Sequence, residues 1–282
     1  MLKLMYITNR PEIARIAETA GTDRIFVDME FIGKDERQKG LDTVKSHHTA
    51  EDVAVIKAAV ETAEVLVRVN PIHEALPDYP SSAEEIDAVI EAGADVVMLP
   101  FFKTVEEVRS FLQMVDGRAR TMLLLETPEA VDCLDEILEL PGIDEIHIGL
   151  NDLSLGYGRK FMFELLADGT VEQLCFKIRQ KGIPYGFGGI AAPGNGMLPS
   201  EYIIREHYRL GSGCVILSRS FCDVQKVRDL GTINSMFLEG IRKIRALEEE
   251  CENHARFFRE NRLELVEKVS EICRLQSGKK PY

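Results

Sequence analysis

No segment of this 282-residue chain is long and apolar enough to span a membrane. The apolar start, residues 1–7, is too short for the hydrophobic region of a signal peptide and runs at once into Thr8-Asn9-Arg10-Pro11. Paired cysteines are lacking as well. Cys133, Cys175, Cys214, Cys222, Cys251 and Cys273 are scattered, with no Cys-x-x-Cys and no zinc or disulfide spacing, so the expected setting is a reducing cytoplasm. Basic stripes are missing too: 34 Lys and Arg stand against 47 Asp and Glu, a net charge of −13, which argues against an extended nucleic-acid footprint. What remains is an acidic, soluble chain with neither nucleic acid nor membrane as its expected partner.

What is present is an alternation. Short apolar runs fall at 4–7, 25–27, 65–67, 96–99, 122–125, 146–150, 185–190 and 215–217. Continuous Val/Ile/Leu runs of this length suit parallel strands buried on both faces. Between them apolar residues recur at helical spacing, as in Ile13, Ile16, Ala17 and Ala20, or Val105, Val108, Leu112 and Val115. Eight strands alternating with amphipathic helices predict an α/β protein with a (β/α)8 barrel over residues 1–230. The stretch from 152 to 185 is long, with helical patterns at 159–166 and 171–181, and predicts an extra helix in the sixth unit. Residues 231–282 are dense in charge, yet Ile241, Ile244, Leu247, Cys251, Phe258, Leu265, Val269 and Ile272 recur at three- and four-residue steps with some gaps. This C-terminal helical extension is expected to pack on another subunit, making the protein a homo-oligomer, because a complete barrel already has its ring of helices.

Barrel active sites lie where strands end, so the residues there can be collected although they are far apart in sequence. They are Asp28 and Glu30, Arg68 and Asn70, Pro100, Glu126, Asn151 with Asp152, the glycines Gly186, Gly188 and Gly189, and Ser218-Arg219-Ser220. Glu126 and Asp152 close two neighbouring apolar runs. Carboxylates without nearby Cys or His of ligand spacing suit a hard cation such as Mg2+, which takes one or two of them and keeps water and substrate oxygens. The competing reading has Glu126 accept hydrogen bonds from a loop and Asp152 cap a segment starting near Leu153. Arg68 alternates with Leu66 on one side of its strand, and an arginine turned into a barrel needs an anion. That anion is either a structural carboxylate, Asp28 or Glu30 next door, or an oxyanion that develops during reaction. His47 and His48, on the loop after the second strand, are candidates for a general base or are solvent-facing loop residues. His147, between two isoleucines, reads as a hydrogen-bonded core residue. The glycine-rich segment 186–196 could bind phosphate through backbone N–H groups, with Arg219 assisting, or could simply permit tight turns.

The stretch Leu123-Leu124-Leu125-Glu126-Thr127-Pro128-Glu129-Ala130-Val131, followed by Gly149-Leu150-Asn151-Asp152-Leu153-Ser154, resembles the HpcH/HpaI aldolase and citrate lyase β-subunit family. That family's pattern is a glutamate before Thr and a nearby Ala, then Gly-x-x-Asp-Leu-Ser. The likeness extends through Val27-Asp28-Met29-Glu30 and Val67-Arg68-Val69-Asn70, over roughly residues 20 to 160. It implies a barrel of the phosphoenolpyruvate/pyruvate-binding superfamily that uses a divalent metal, Mg2+ or Mn2+, to make or break a carbon–carbon bond. On that resemblance Glu126 and Asp152 are the metal ligands and Arg68 stabilises an enolate. Gly149 and the backbone at Asn151 receive the substrate carboxylate and Glu30 supports water at the metal, while the resemblance names no base and His48 stays the candidate from its place in the loop. The substrate implied is a small oxo acid or a related acyl thioester. One departure stands out: Phe31 follows Glu30 where the aldolase branch has histidine and the citrate lyase branch has Glu-Asp. Two other functions remain in view, a phosphoenolpyruvate-type phosphoryl transfer or rearrangement on the same scaffold and a non-catalytic binding or assembly subunit.

Overall fold

The computed structural model describes residues 1–34, 48–253 and 257–278, and the candidate base His47 lies outside them. Eight strands close into a parallel barrel in chain order: β1 (Lys3–Ile7), β2 (Arg24–Asp28), β3 (Glu64–Arg68), β4 (Val96–Leu99), β5 (Arg120–Leu125), β6 (Glu145–Ile148), β7 (Tyr185–Ile190) and β8 (Cys214–Leu217). This is the (β/α)8 barrel expected from the apolar runs. Among the described residues no helix is long and apolar enough to cross a membrane. Contacts gather the chain into two units, residues 5–146 and residues 1–4 with 147–282.

In the first unit the helices are α1 (Pro11–Thr19), α2 (Ala50–Ala59), α3 (Ser82–Glu91), α4 (Val105–Val115), α5 (Pro128–Asp132) and α6 (Leu134–Ile137). Their starts are written in the sequence. Thr49 with Asp52, Ser81 with Glu84 and Thr104 with Glu107 form capping boxes, in which a hydroxyl and a carboxylate each accept a terminal N–H that the helix leaves unpaired. Thr127 accepts from Ala130 N ahead of Pro128 at the first helical position.

Two strands of this unit carry reversed charges at both ends, Arg24-Ile-Phe-Val-Asp28 and Glu64-Val-Leu-Val-Arg68. Their register sets Arg24 opposite Glu64 and Asp28 opposite Arg68. At the N-terminal end Arg24, fully buried, donates to Glu64 at 2.7 Å and to both Glu145 oxygens, and Arg120 pairs with Glu64 and Glu145. The apolar middle of the two strands, Phe26 and Leu66 included, is buried.

In the second unit three helices follow β6, one more than the two helical patterns expected there: α7 (Leu150–Gly156), α8 (Glu164–Ala167) and α9 (Thr170–Gln180). The run at 146–150 therefore does not stay in strand to its end. Leu150, Leu153 and Ser154 are buried three and four residues apart, a helical repeat that claims Leu150 for α7. After α10 (Ser200–Leu210) and β8 come α11 (Leu230–Asn253) and α12 (Phe257–Gly278). Both pack on α10. Ile233, Phe237, Ile241, Ile244 and Cys251 of α11, and Leu265 and Val269 of α12, are buried within the chain. Part of the apolar stripe of these two helices is therefore buried within the chain, while Leu238, Leu263 and Leu275 stay exposed. Arg262 of α12 donates to the Leu166 and Ala167 carbonyls at the end of α8, a short helix with no basic residue in its last turn.

His207 in α10 is fully buried and stacks on Phe187 of β7, with ring centroids 3.8 Å apart and planes 2° from parallel. Its Nδ1 lies 2.7 Å from Ser212 Oγ, and its Nε2 has no hydrogen-bond partner among the described residues. Burial, with His147 nearby, pushes its pKa well below the ordinary 6.5. The folded state therefore refuses a proton that the unfolded chain accepts. Stability from this residue is fully present above about pH 6.5 and falls by about 1.4 kcal/mol per pH unit below it. In urea unfolding from about pH 7.5 to 5, wild type should lose stability relative to His207→Phe only below about pH 6.5. Parallel curves over that range would show that His207 is not the source.

Candidate active site

The register that pairs Asp28 with Arg68 also builds the site, because both side chains leave their strands at the C-terminal rim. Arg68 grips Asp28 with two parallel bonds, Nε to Oδ1 and Nη2 to Oδ2, each 2.8 Å. Its Nη1 lies 3.4 Å from Glu30 Oε2. Lys34 closes the group, 3.1 Å from Asp28 Oδ2 and 3.4 Å from Glu30 Oε2. Burial pushes the Asp28 carboxyl up, but the charges and hydrogen bonds of Arg68 and Lys34 overcome it and hold the group well below the usual carboxylate range. Burial opposes the Arg68 charge too, yet the carboxylates of Asp28 and Glu30, with Glu126 also contributing, raise its pKa well above the ordinary value. Arg68 therefore has the structural carboxylate that one of its two readings supplies, and keeps Nη1 outside that fork.

Asn70, just past β3, fixes the chain that carries Glu30. Its Oδ1 accepts from Phe31 N and Ile32 N, both at 2.9 Å. Its Nδ2 donates to Glu85 Oε1 at 2.8 Å, and Tyr79 Oη donates to the same oxygen at 2.8 Å. Desolvation raises the pKa of Glu85, and the hydrogen bonds from Tyr79 and Asn70 oppose it. Phe31 packs edge-on against Tyr79, with centroids 4.8 Å apart. The position where the aldolase branch has histidine is here used to brace a loop.

Glu126 follows β5 directly and is buried, and its Oε1 accepts from Phe101 N at 3.0 Å. To present that N–H, Phe101 takes a left-handed φ of 48°, a conformation uncommon outside glycine and one that tends to persist where a site holds it. Thr127 ties the same two segments, donating from Oγ1 to the Phe102 carbonyl at 2.7 Å. The Glu-Thr-Pro sequence thus aims a carboxylate, fastens a loop and starts a helix within three residues.

His48 accepts from Asp28 N at 2.9 Å through Nδ1. The neutral ring must then carry its proton on Nε2, and a second proton would set N–H against N–H. His48 in this arrangement carries a donor at Nε2. Lys34 and Glu85 were missed by sequence reasoning; the four-residue step from Glu30 to Lys34 was the available signal for the first.

The second unit holds the remaining candidates. Gly149 precedes α7, Asn151 is exposed, and Asp152 sits half-buried in the first turn of α7, so the second acid lies on a helix and not at a strand end. Gly149, not Asp152, is the capping residue. Among the described residues Asp152 has no hydrogen-bond or ion-pair partner. His147 is buried and its Nε2 lies 3.0 Å from the Gly188 carbonyl, the core role expected of it. Gly186 and Gly188 have packing reasons. A Cβ at Gly186 would sit 2.3 Å from the Cys214 carbonyl oxygen, and Gly188, at φ 57°, would meet Leu150 Cδ1 at 2.8 Å. Arg219 is exposed.

A family model described as HpcH/HpaI aldolase/citrate lyase matches residues 3–182, more than half of the chain. The chain belongs to the HpcH/HpaI aldolase/citrate lyase family. Solved structures share the fold. An HpcH/HpaI aldolase from Desulfitobacterium hafniense DCB-2 is 18% identical with a TM-score of 0.58, over 82% of this chain and 92% of that one. An HpcH/HpaI aldolase/citrate lyase family protein from Burkholderia cenocepacia J2315 is 17% identical with a TM-score of 0.56, over 81% and 95%. Citrate synthase SbnG is 16% identical with a TM-score of 0.58, over 82% and 92%. At these identities the likeness is one of fold. No curated protein matches the sequence. Membership in the HpcH/HpaI family makes this barrel an enzyme of aldolase/lyase type.

A metal is tested against the donors present. Among the described residues no group of three or more His, Cys, Asp or Glu is arranged to hold an ion. Magnesium needs only one or two carboxylates, and Glu126 and Asp152 are each oxygen donors of the kind it takes.

Proposed function

We propose that this HpcH/HpaI family member is a divalent-metal-dependent carbon–carbon lyase of aldolase type, working on a small hydroxy-oxo acid or a related acyl thioester through a pyruvate-like enolate. The observation that carries the reading is Arg68: its Nε and Nη2 are fixed on Asp28, while Nη1 makes only a 3.4 Å contact to Glu30 and the Glu126 charge lies within its field. A guanidinium held in this way is a preorganised cation for an oxyanion that forms during reaction. Glu126 and Asp152 would hold Mg2+ or Mn2+, which when bound supplies Lewis-acid stabilisation of the same negative charge. Glu30, held between Arg68 and Lys34, would orient water at the rim. Gly149 and the backbone at Asn151 would receive the substrate carboxylate. Packing already accounts for Gly186 and Gly188, which removes the main support for a phosphate-handling alternative.

The test is proton exchange at the pyruvate methyl group in heavy water, followed by NMR with and without Mg2+ or Mn2+. Metal-dependent loss of the methyl signal is expected, abolished in Glu126→Ala. A purified, folded protein that exchanges neither pyruvate nor a short acyl thioester at its α-carbon would sink the enolate reading.

A further inference from the structure

Asp28, Arg68, Glu30 and Lys34 form a closed cycle in which each acid touches both cations. Its contacts are Arg68 to Asp28 at 2.8 Å, Lys34 to Asp28 at 3.1 Å, and Arg68 and Lys34 to Glu30 at 3.4 Å each. Side-chain exposures are 3% for Asp28, 2% for Glu30, 6% for Lys34 and 14% for Arg68, so the arginine is the member that reaches the rim. Two acids and two bases leave no net charge in the cycle. Glu126 adds a third carboxylate to the field of Arg68. A buried group of this kind holds together only while its charges balance.

We propose that Lys34 is a positioning residue that keeps Arg68 available to an anionic substrate. It does so by sharing both acids that would otherwise compete for the guanidinium. The distances give the mechanism. With Lys34 present Glu30 has two cations at 3.4 Å, and neither contact is short; Arg68 Nη1 is therefore held loosely enough for an incoming oxyanion to displace Glu30. Without Lys34 the cycle keeps one cation for its two acids, Glu30 draws in onto Nη1, and the cycle gains one negative charge. An oxo-acid anion then meets repulsion where it should meet a cation. The effect falls on binding of the anion, and Lys34 itself need not touch it.

The inference rests on the enolate reading for its consequence, and on the four-residue cycle alone for its cause. Two readouts separate them. The first needs no ligand: the 15N resonance of the Arg68 Nε–Hε group, assigned by its loss in Arg68→Lys, in wild type, Lys34→Met, Glu30→Gln and the double variant. The second is calorimetric titration of the same proteins with oxalate in the presence of Mg2+, oxalate being a planar dianion with the shape of a pyruvate enolate. In Lys34→Met the Arg68 line should move and oxalate should bind roughly tenfold to a hundredfold more weakly. Adding Glu30→Gln restores the charge balance and should return both readouts most of the way. A role in packing alone would not be rescued by removing a second charge. If the Arg68 line is unchanged in Lys34→Met, or the double variant is no closer to wild type than the single, Lys34 does not act on Arg68. If wild type binds no oxalate, the enolate reading fails, and the Arg68 line decides on Lys34 by itself.

Discussion

Replacing Arg68 by methionine is expected to lower metal-dependent exchange at the pyruvate methyl group by about 10²- to 10³-fold, the usual consequence of losing one preorganised donor to an oxyanion. Two effects combine in that loss. The developing negative charge forfeits a fixed cation, and Asp28 forfeits the fork that holds it, leaving two buried acids to share Lys34. The variant is therefore less stable as well, and the rate must be taken per folded molecule from the amplitude of thermal unfolding. Arg68→Lys separates the terms. It keeps the positive charge, but an ammonium on a flexible stem cannot make two parallel bonds to Asp28 and still present a third nitrogen beyond it. Most of the rate loss should persist in Arg68→Lys while much of the stability returns. Wild-type exchange in Arg68→Lys would mean that the fork is irrelevant, and the enolate role would go with it.

The Arg68 grip is the part of the site most legible in the sequence. Strands written as Arg24-Ile-Phe-Val-Asp28 and Glu64-Val-Leu-Val-Arg68 announce both their shared face and their charge pairing, because a parallel neighbour of equal length brings first to first and last to last. Glu126 was legible for a similar local reason: it ends an apolar run and begins a helix-start signal in Thr127 and Pro128. What failed to show were properties decided across distance. The neutral tautomer of His48 is set by the backbone N–H of Asp28, twenty residues earlier. Lys34 looked like one cation in a charged loop until two acids closed around it. Asp152 moved from strand end to helix because Leu150, Leu153 and Ser154 bury a helical stripe, a repeat too short to be told from the end of an apolar strand. The tail's apolar stripe reads the same whichever surface covers it, and α11 and α12 pack part of it on α10.

At the opposite end of the same two strands, Glu145→Ala should cost about 3–5 kcal/mol of stability, the range for removing one partner of a buried ion pair. Arg24 is fully buried and depends on Glu145 for two of its hydrogen bonds. Burial works against its charge, and Glu145 with Glu64 more than restores it. Without Glu145 two arginines, Arg24 and Arg120, are left on the single carboxylate of Glu64. Removing Arg24 together with Glu145, as Arg24→Met with Glu145→Met, takes away one charge of each sign and leaves Arg120 paired with Glu64. Apolar replacement of a whole buried pair is commonly neutral or better, so the double variant should be more stable than Glu145→Ala by at least about 2 kcal/mol. Chemical denaturation of wild type, Glu145→Ala and the double variant at neutral pH measures this. Arg24 precedes Asp28 by four residues of strand, about 13 Å, so exchange per folded molecule should stay at the wild-type level. A double variant as unstable as Glu145→Ala would show that the carboxylate acts through its packing and not its charge. A drop in exchange per folded molecule would mean that the two ends of β2 and β3 are mechanically coupled, and that Asp28 owes its position to Arg24 as well as to Arg68.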